Sequence, residues 1–407
     1  MSRIGLALAG GGPLGAVYEI GALVALEESI AGLDLNAMDG YVGVSAGSFL
    51  AAGLANGMTA RALCTAFIDG DQRHPDHVPA AMFTRPALAE WVGRVAALPR
   101  LAGQAAWQVL RGHPWLTALE QLGRALPTGL FSHAPIEARL AALLSAPGRS
   151  DDFRVLAATR GRRLVIVATD LDSGEALPFG RPGFDHVPIS RAVAASAALP
   201  GLFPPVPVDG RWCVDGALKK TLHASVLLDD GAGLVFCLNP LVPFDARHPQ
   251  RHRVLAGGEA PIPRIVDGGL PVVLSQTFRS LIHSRLELGL KGYAASHPGA
   301  DLLLFEPDHR DPAMFLANVF AYGQRRALAE HAYQATRADL RKRRSTLRPV
   351  LARHGLALDE AMLDDPSRRL LPRHRRGTVA PRTAAAQAMR HLDEVLDDLE
   401  RALPPAT

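Results

Sequence analysis

Cysteine is scarce: the 407-residue chain has three, Cys64, Cys213 and Cys237. They form no CxxC pair and no metal-ligand spacing, which argues against a disulfide framework and a thiolate metal site and leaves buried, reduced thiols. Long apolar runs are also missing. None reaches the roughly 18 residues of a membrane-spanning helix, so the expectation is a soluble, cytosolic protein, attached at most to a membrane surface. Low complexity is absent too, because the 38 glycines and 31 prolines are dispersed, as many tight turns require. The apolar start Met1–Ala9 looks like a short signal peptide, but Gly10-Gly11-Gly12 interrupts it and no polar cleavage region follows. A buried first strand running into a glycine loop is expected instead. None of the 15 histidines lies in an evident catalytic motif. Charge of one sign gathers in one place only. The formal charge is +4, yet residues 337–376 hold twelve Lys or Arg against five Asp or Glu.

Hydrophobic patterning predicts strands at Ile4–Ala9, Tyr41–Val44, Arg163–Leu171, Trp212–Val214, Leu234–Leu238 and Leu302–Phe305. It predicts helices at Pro13–Ser29, Ala46–Asn56, Val187–Ala198 and Leu270–Ala295. Strand, turn and helix alternating in this way predict a parallel sheet with crossover helices. Residues 59–150 read as a helical insertion containing Trp91, Trp107 and Trp115. It is either a cap over a site for apolar substrates or an ordinary insertion with core tryptophans. The main domain is expected over residues 1–310. Residues 311–407 are expected as a helical, basic C-terminal region ending in a helix over Thr383–Leu403.

Three motifs could carry chemistry. Gly43-Val44-Ser45-Ala46-Gly47 is a G-x-S-x-G between a strand and a helix, where the glycines permit a sharp turn that exposes the serine hydroxyl. The helix that follows aims its N-terminal amides at negative charge developing there. Gly10-Gly11-Gly12-Pro13-Leu14-Gly15 fits G-x-G-x-x-G and so admits a dinucleotide. The acid expected downstream, Asp39, precedes the second strand instead of ending it. The same glycine amides could form an oxyanion hole. A serine nucleophile needs a base within hydrogen-bond reach. Asp215-Gly216-Ala217 at the end of a short strand is the better candidate; His223 or His283 in a Ser-His-Asp site is the other reading. Asp230-Gly231-Ala232 rivals Asp215, but it sits in a turn where a solvated aspartate is expected.

Four segments in this order resemble the patatin-like phospholipase family: Gly10-Gly11-Gly12 with Gly15, Gly43 to Gly47, Ala195-Ser196-Ala197-Ala198-Leu199-Pro200, and Asp215-Gly216-Ala217. The resemblance spans about Ile4 to Pro240. It implies a three-layer α/β/α fold with a mainly parallel sheet and lipid acyl hydrolysis without metal or cofactor. By position it implies Ser45 as nucleophile, Asp215 as base and Gly10, Gly11 and Gly12 as the oxyanion loop, with Gly15, Gly43, Gly47 and Gly216 in support. Ala195–Pro200 would pack near the dyad. Two departures stand out: Leu14 replaces the family's usual basic residue, and Ala217 replaces a glycine.

The dyad would equally serve a storage polyester, a thioester or acyl transfer, and a non-catalytic lipid or nucleotide binder could retain the fold. Arg337, Arg341, Arg344 and Arg348 recur at helical spacing. The stripe is either a solvated face or a contact with anionic lipid, to which each charge would add about 1 kcal/mol. Nucleic acid is not expected, since no aromatic side chains are interleaved for stacking. Nothing in the sequence fixes the oligomeric state.

Overall fold

The structure, a computed structural model, describes residues 2–69, 74–112, 123–247, 264–315 and 324–371. Its centre is strand β1 (Ile4–Leu8), followed by helix α1 (Gly12–Ser29). A two-residue strand β2 (Ile30–Ala31) leads to β3 (Gly40–Gly43) and helix α2 (Ala46–Ala55). The insertion supplies α3 (Leu88–Leu110) and α4 (Ala134–Leu144), and α5 (Phe153–Arg160) follows. Then come β4 (Arg163–Asp170), β5 (Ala176–Phe179), α6 (Ile189–Ser196), β6 (Val206–Val208), β7 (Arg211–Asp215) and β8 (Leu234–Leu238). The long α7 (Gly269–Ser296), β9 (Asp301–Phe305), α8 (Arg325–Lys342), α9 (Arg344–Arg353) and a short β10 (Ala357–Leu358) complete the chain described.

The sheet runs β6-β7-β4-β3-β1-β8-β9, with β5 on the other edge of β4. From β4 to β9 every pairing is parallel. A parallel sheet must be covered on both faces, which is why its strands read as nearly continuous apolar runs. Alternation divides the layers. Leu6 and Leu8 face α1 and α2 in the larger core, whereas Ala7, Ala9, Val42, Val44, Val165 and Val167 belong to a second cluster that reaches Leu286 of α7. The architecture is therefore the expected three-layer α/β/α arrangement with helices after the sheet.

Residues 325–371, expected as part of a tail, share the main core. Leu328, Ala329, Ala332, Tyr333 and Leu340 of α8 are buried with Leu347, Leu351, Leu363 and Leu370. Helix α8 lies directly on α1: a Cβ at Gly21 would stand 2.5 Å from Ala329 O and 2.9 Å from Ala332 Cβ. Overpacking against backbone costs about 1–3 kcal/mol. Gly21→Val should therefore lower the unfolding free energy read from a urea titration by that amount and move the midpoint down. Gly103→Ala, with nothing within 4 Å of its Cβ, should not, and equal midpoints for Gly21→Val and the native chain would refute the close packing.

The arginine stripe is turned to internal use. Arg337 is 1% exposed and donates to the carbonyls of Met362, Leu363 and Asp365. Arg341 donates to Leu363 O, Arg344 pairs with Glu360 and Asp364, and Arg348 pairs with Glu360. The helix also breaks at Arg343, so the four do not line one continuous rod. Arg373, Arg375 and Arg376, and the helix expected at Thr383–Leu403, lie outside the described residues, as does Trp115. Trp91 and Trp107 are exposed on α3, not core residues.

Candidate active site

Two strands that arrive from opposite directions meet on one edge of β4. Gly40–Gly43 of β3 pair with Arg163–Ile166, and beyond them Cys213–Asp215 of the antiparallel β7 pair with Ala168–Asp170. The C-terminal ends of β3 and β7 converge as a result, and they carry Ser45 and Asp215. Ser45 has φ 51° and ψ −124°, a left-handed backbone that a serine rarely adopts. Such strain persists only where the surroundings fix it. Here they do: Gly47 N donates to Ala9 O, and the Ser45 amide donates to Ser196 Oγ at 2.8 Å. Gly43 and Gly47 are required by close approach, since a Cβ on Gly43 would lie 2.5 Å from Ser48 Cα and one on Gly47 2.5 Å from Ala9 O.

The Ser45 hydroxyl lies close enough to the Asp215 carboxyl group to act on its proton affinity. Asp215 Oδ1 also accepts from Ala217 N at 2.9 Å, and Asp215 is 3% exposed. Burial raises its pKa to about 6, against the lowering effect of the neighbouring Ser45 side chain and the Ala217 amide. A carboxylate with that pKa is a far better proton acceptor than a solvated one. Gly216 must lack a side chain because a Cβ there would overlap Val167 O, whereas the Ala217 methyl is accommodated beside Gly10.

The glycine loop passes alongside the serine. A Cβ on Gly10 would lie 2.9 Å from Ser45 Cβ and 3.5 Å from its Oγ. The amides of Gly10, Gly11 and Gly12 have no acceptor among the described residues, and no side chain caps α1. The serine's own amide is committed to Ser196, whereas these loop amides are free donors beside it. Helices α1 and α2 both begin here and add the positive ends of their dipoles. Gly15 holds the loop to the end of β8, its Cβ position 3.0 Å from Pro240. Leu14 packs into the main core.

The rival residues lie elsewhere. Asp230 binds Arg181 at 2.8 Å and approaches Arg163. Asp39 accepts the Ile4 amide at 2.7 Å. That is the start of β1, the end opposite the glycine loop, and the geometry disfavours a dinucleotide there. His223 is buried, with Nε2 3.4 Å from Gly216 O, and burial lowers its pKa to about 4. His283 on α7 lies against His309. No metal-ligating cluster involves Ser45 or Asp215 among the described residues.

Sequence reasoning left Ser196 without a task. Its hydroxyl accepts from Ser45 N and donates to Val167 O at 2.6 Å, while Ala198 O accepts from Asp215 N at 3.0 Å. The Ala195–Pro200 segment thus braces both members of the pair. Glu19 of α1 was also missed. It is wholly buried without a hydrogen-bond partner, and desolvation holds its pKa well above the usual carboxylate range.

Among solved structures, the chain is similar to VipD from Legionella pneumophila (19% identity, 60% of this chain and 51% of that one, TM-score 0.33). It is also similar to the type III effector ExoU (17%, 84% and 53%, TM-score 0.35), an effector of Pseudomonas aeruginosa. A human GIVD cytosolic phospholipase A2 matches at 15% identity over 58% of this chain and 40% of that one, with a TM-score of 0.23. The chain spans about half or less of the length of these proteins. The family model described as patatin-like phospholipase matches residues 6–228, more than half of the chain, and the chain belongs to that family.

Proposed function

We propose that the protein is a lipid acyl hydrolase working through a Ser45–Asp215 dyad. The observation that carries this is the placement of the Ser45 hydroxyl beside the buried Asp215 carboxyl, at the converging ends of β3 and β7, where burial raises the Asp215 pKa to about 6. Ser45 Oγ attacks the ester carbonyl while Asp215 takes its proton. The oxygen that becomes negative is met by the amides of Gly10, Gly11 and Gly12. Collapse breaks the ester C–O bond, and the proton passes from Asp215 to the leaving alcohol. Water, deprotonated by Asp215, then attacks the acyl-enzyme carbonyl, the bond to Ser45 Oγ breaks, the fatty acid leaves, and the proton on Asp215 returns to Ser45 Oγ. No step needs a metal or a cofactor. The test is fatty-acid release from phospholipid and lysophospholipid vesicles, run beside a storage polyester and an acyl thioester. Faster turnover of the polyester or thioester would move the substrate class, and no release from any of them would overturn the reading.

Substrate held in a membrane calls for a surface that meets it. Among the described residues, the basic stripe expected at residues 337–376 is largely engaged within the protein, so the apolar face of α3 is the stronger support. Leu88, Trp91, Val92, Val95 and Leu98 recur at three- and four-residue intervals and are exposed. Trp91 ties this helix to Gly129, whose neighbours Phe203 and Pro204 continue from the Ala195–Pro200 segment. No helix among the described residues is long and apolar enough to cross a membrane. The Val92→Glu, Val95→Glu variant should sediment several-fold less with neutral vesicles, with little dependence on salt. Binding that needs anionic lipid and falls with salt would return the role to the basic region.

A further inference from the structure

Three side chains outside the proposed chemistry meet at the C-terminal ends of β8 and β9. His283 comes from α7, Glu306 and His309 follow β9, and their ligand-capable atoms lie within 4.8 Å of one another. His283 Nδ1 is 3.9 Å from Glu306 Oε2, and His309 Nε2 is 3.8 Å from Glu306 Oε1. These separations are too long for hydrogen bonds. His283 Nδ1 is also buried without a hydrogen-bond partner, a condition that native structures avoid unless something else satisfies the atom.

Two of the three, His309 and Glu306, are oriented from behind. His309 Nδ1 faces Pro243 O at 3.1 Å. A carbonyl only accepts, so Nδ1 carries the hydrogen and Nε2 presents its lone pair. His283 Nε2 approaches Glu287 Oε1 at 3.4 Å, while Nδ1, the buried and unpartnered nitrogen, is the one nearer Glu306. Glu306 Oε2 accepts from Asn239 Nδ2 at 3.2 Å. An imidazole whose outer N–H is held by a carbonyl, as in His309, beside a hydrogen-bonded carboxylate, has the arrangement of a metal ligand with its supporting partner.

We propose that His283 Nδ1, His309 Nε2 and the Glu306 carboxylate bind a divalent cation, with zinc the ion that two imidazoles and one carboxylate favour. Donors around tetrahedral zinc at about 2.0–2.2 Å lie about 3.3 Å apart, so the two imidazole–carboxylate gaps of 3.9 and 3.8 Å must close by about half an ångström and no gap, within the 4.8 Å limit, by more than about 1.5 Å. The site would clamp α7, in which Leu286 is the residue recorded as buried, to the ends of β8 and β9. The clamp extends to the glycine loop, because Asn239 adjoins Pro240 and a Cβ on Gly11 would lie 2.6 Å from Pro240 Cγ. The ion positions these elements and takes no part in acyl transfer, so the inference is independent of the proposed activity.

The test uses the full chain, stripped with a chelator and titrated with zinc against a chromophoric competitor. One zinc per chain is expected. His283→Gln, Glu306→Gln and His309→Gln should each weaken binding by about 10-fold or more, while the exposed His186→Gln should leave it unchanged. Circular dichroism of the metal-free variants checks that they fold. X-ray absorption on the zinc-loaded native chain should give two nitrogen ligands and carboxylate oxygen, a readout that needs no variant. Absence of stoichiometric binding, native affinity in all three variants, or a different ligand set would each overturn the proposal.

Discussion

Ser45→Ala removes ester hydrolysis, lowering turnover by about 10⁴-fold or more, and abolishes labelling by a fluorophosphonate ester. Both follow from deleting the one hydroxyl held beside the buried carboxylate. The fold should survive. The residue's φ of 51° is imposed by its neighbours, the brace from Ser196 reaches its main-chain amide, and an alanine keeps that amide. Ser196→Ala separates bracing from chemistry: labelling should slow yet persist, since the nucleophile remains. Retained hydrolysis in Ser45→Ala, with the native circular dichroism spectrum, would exclude this serine as the nucleophile.

Asp215→Asn should lower turnover by about 10²–10⁴-fold, the usual contribution of a general base. Asp230→Asn should change it little, because that carboxylate is spent on Arg181. In the native chain, kcat/KM should rise with pH through about 6 and level off above, as Asp215 ionises. Stability should move the opposite way. The folded pKa of Asp215 is raised, so its contribution is full below the unfolded value near 4 and is lost as pH rises through about 6. Two pKa units correspond to about 3 kcal/mol. Asp215→Asn should thus be more resistant to urea than the native chain at pH 8, by up to that amount, with the gap closing towards pH 4. Unfolding curves at the two pH values check the sign. A variant that is inactive because it is less stable at pH 8 would remove the case for a buried base. If His223→Ala were the inactive variant, a triad would replace the dyad.

The parts of the site most legible in the sequence are those where chemistry and backbone demand the same residue. Gly43 and Gly47 flank Ser45 because main-chain atoms crowd them, and Gly216 follows Asp215 for the same reason. The parallel strands were readable from continuous apolar runs, since both of their faces are buried. The antiparallel arrival of β7, which brings Asp215 to Ser45, was not, because a strand's pattern reports its burial and not its partner. The placement of α8 was hidden for a related reason. Its seam is made of small residues such as Ala329 and Ala332 in an otherwise charged helix, and its fit depends on Gly21 far away. Arg337 reads as one more surface charge, but its partners are three main-chain carbonyls, which no sequence pattern marks.

The union of α1 with α8 has a consequence for the newborn chain. Roughly 300 residues separate the two helices, and at about 5–20 residues per second a ribosome needs about 15–60 s to supply the second after the first. Throughout that interval the groove at Gly21 and the apolar face around it have no permanent cover, although β1, β3 and their crossover helices have already emerged. Until α8 arrives, the early half of this protein therefore leaves exposed an apolar groove of the kind that makes a nascent chain prone to aggregate.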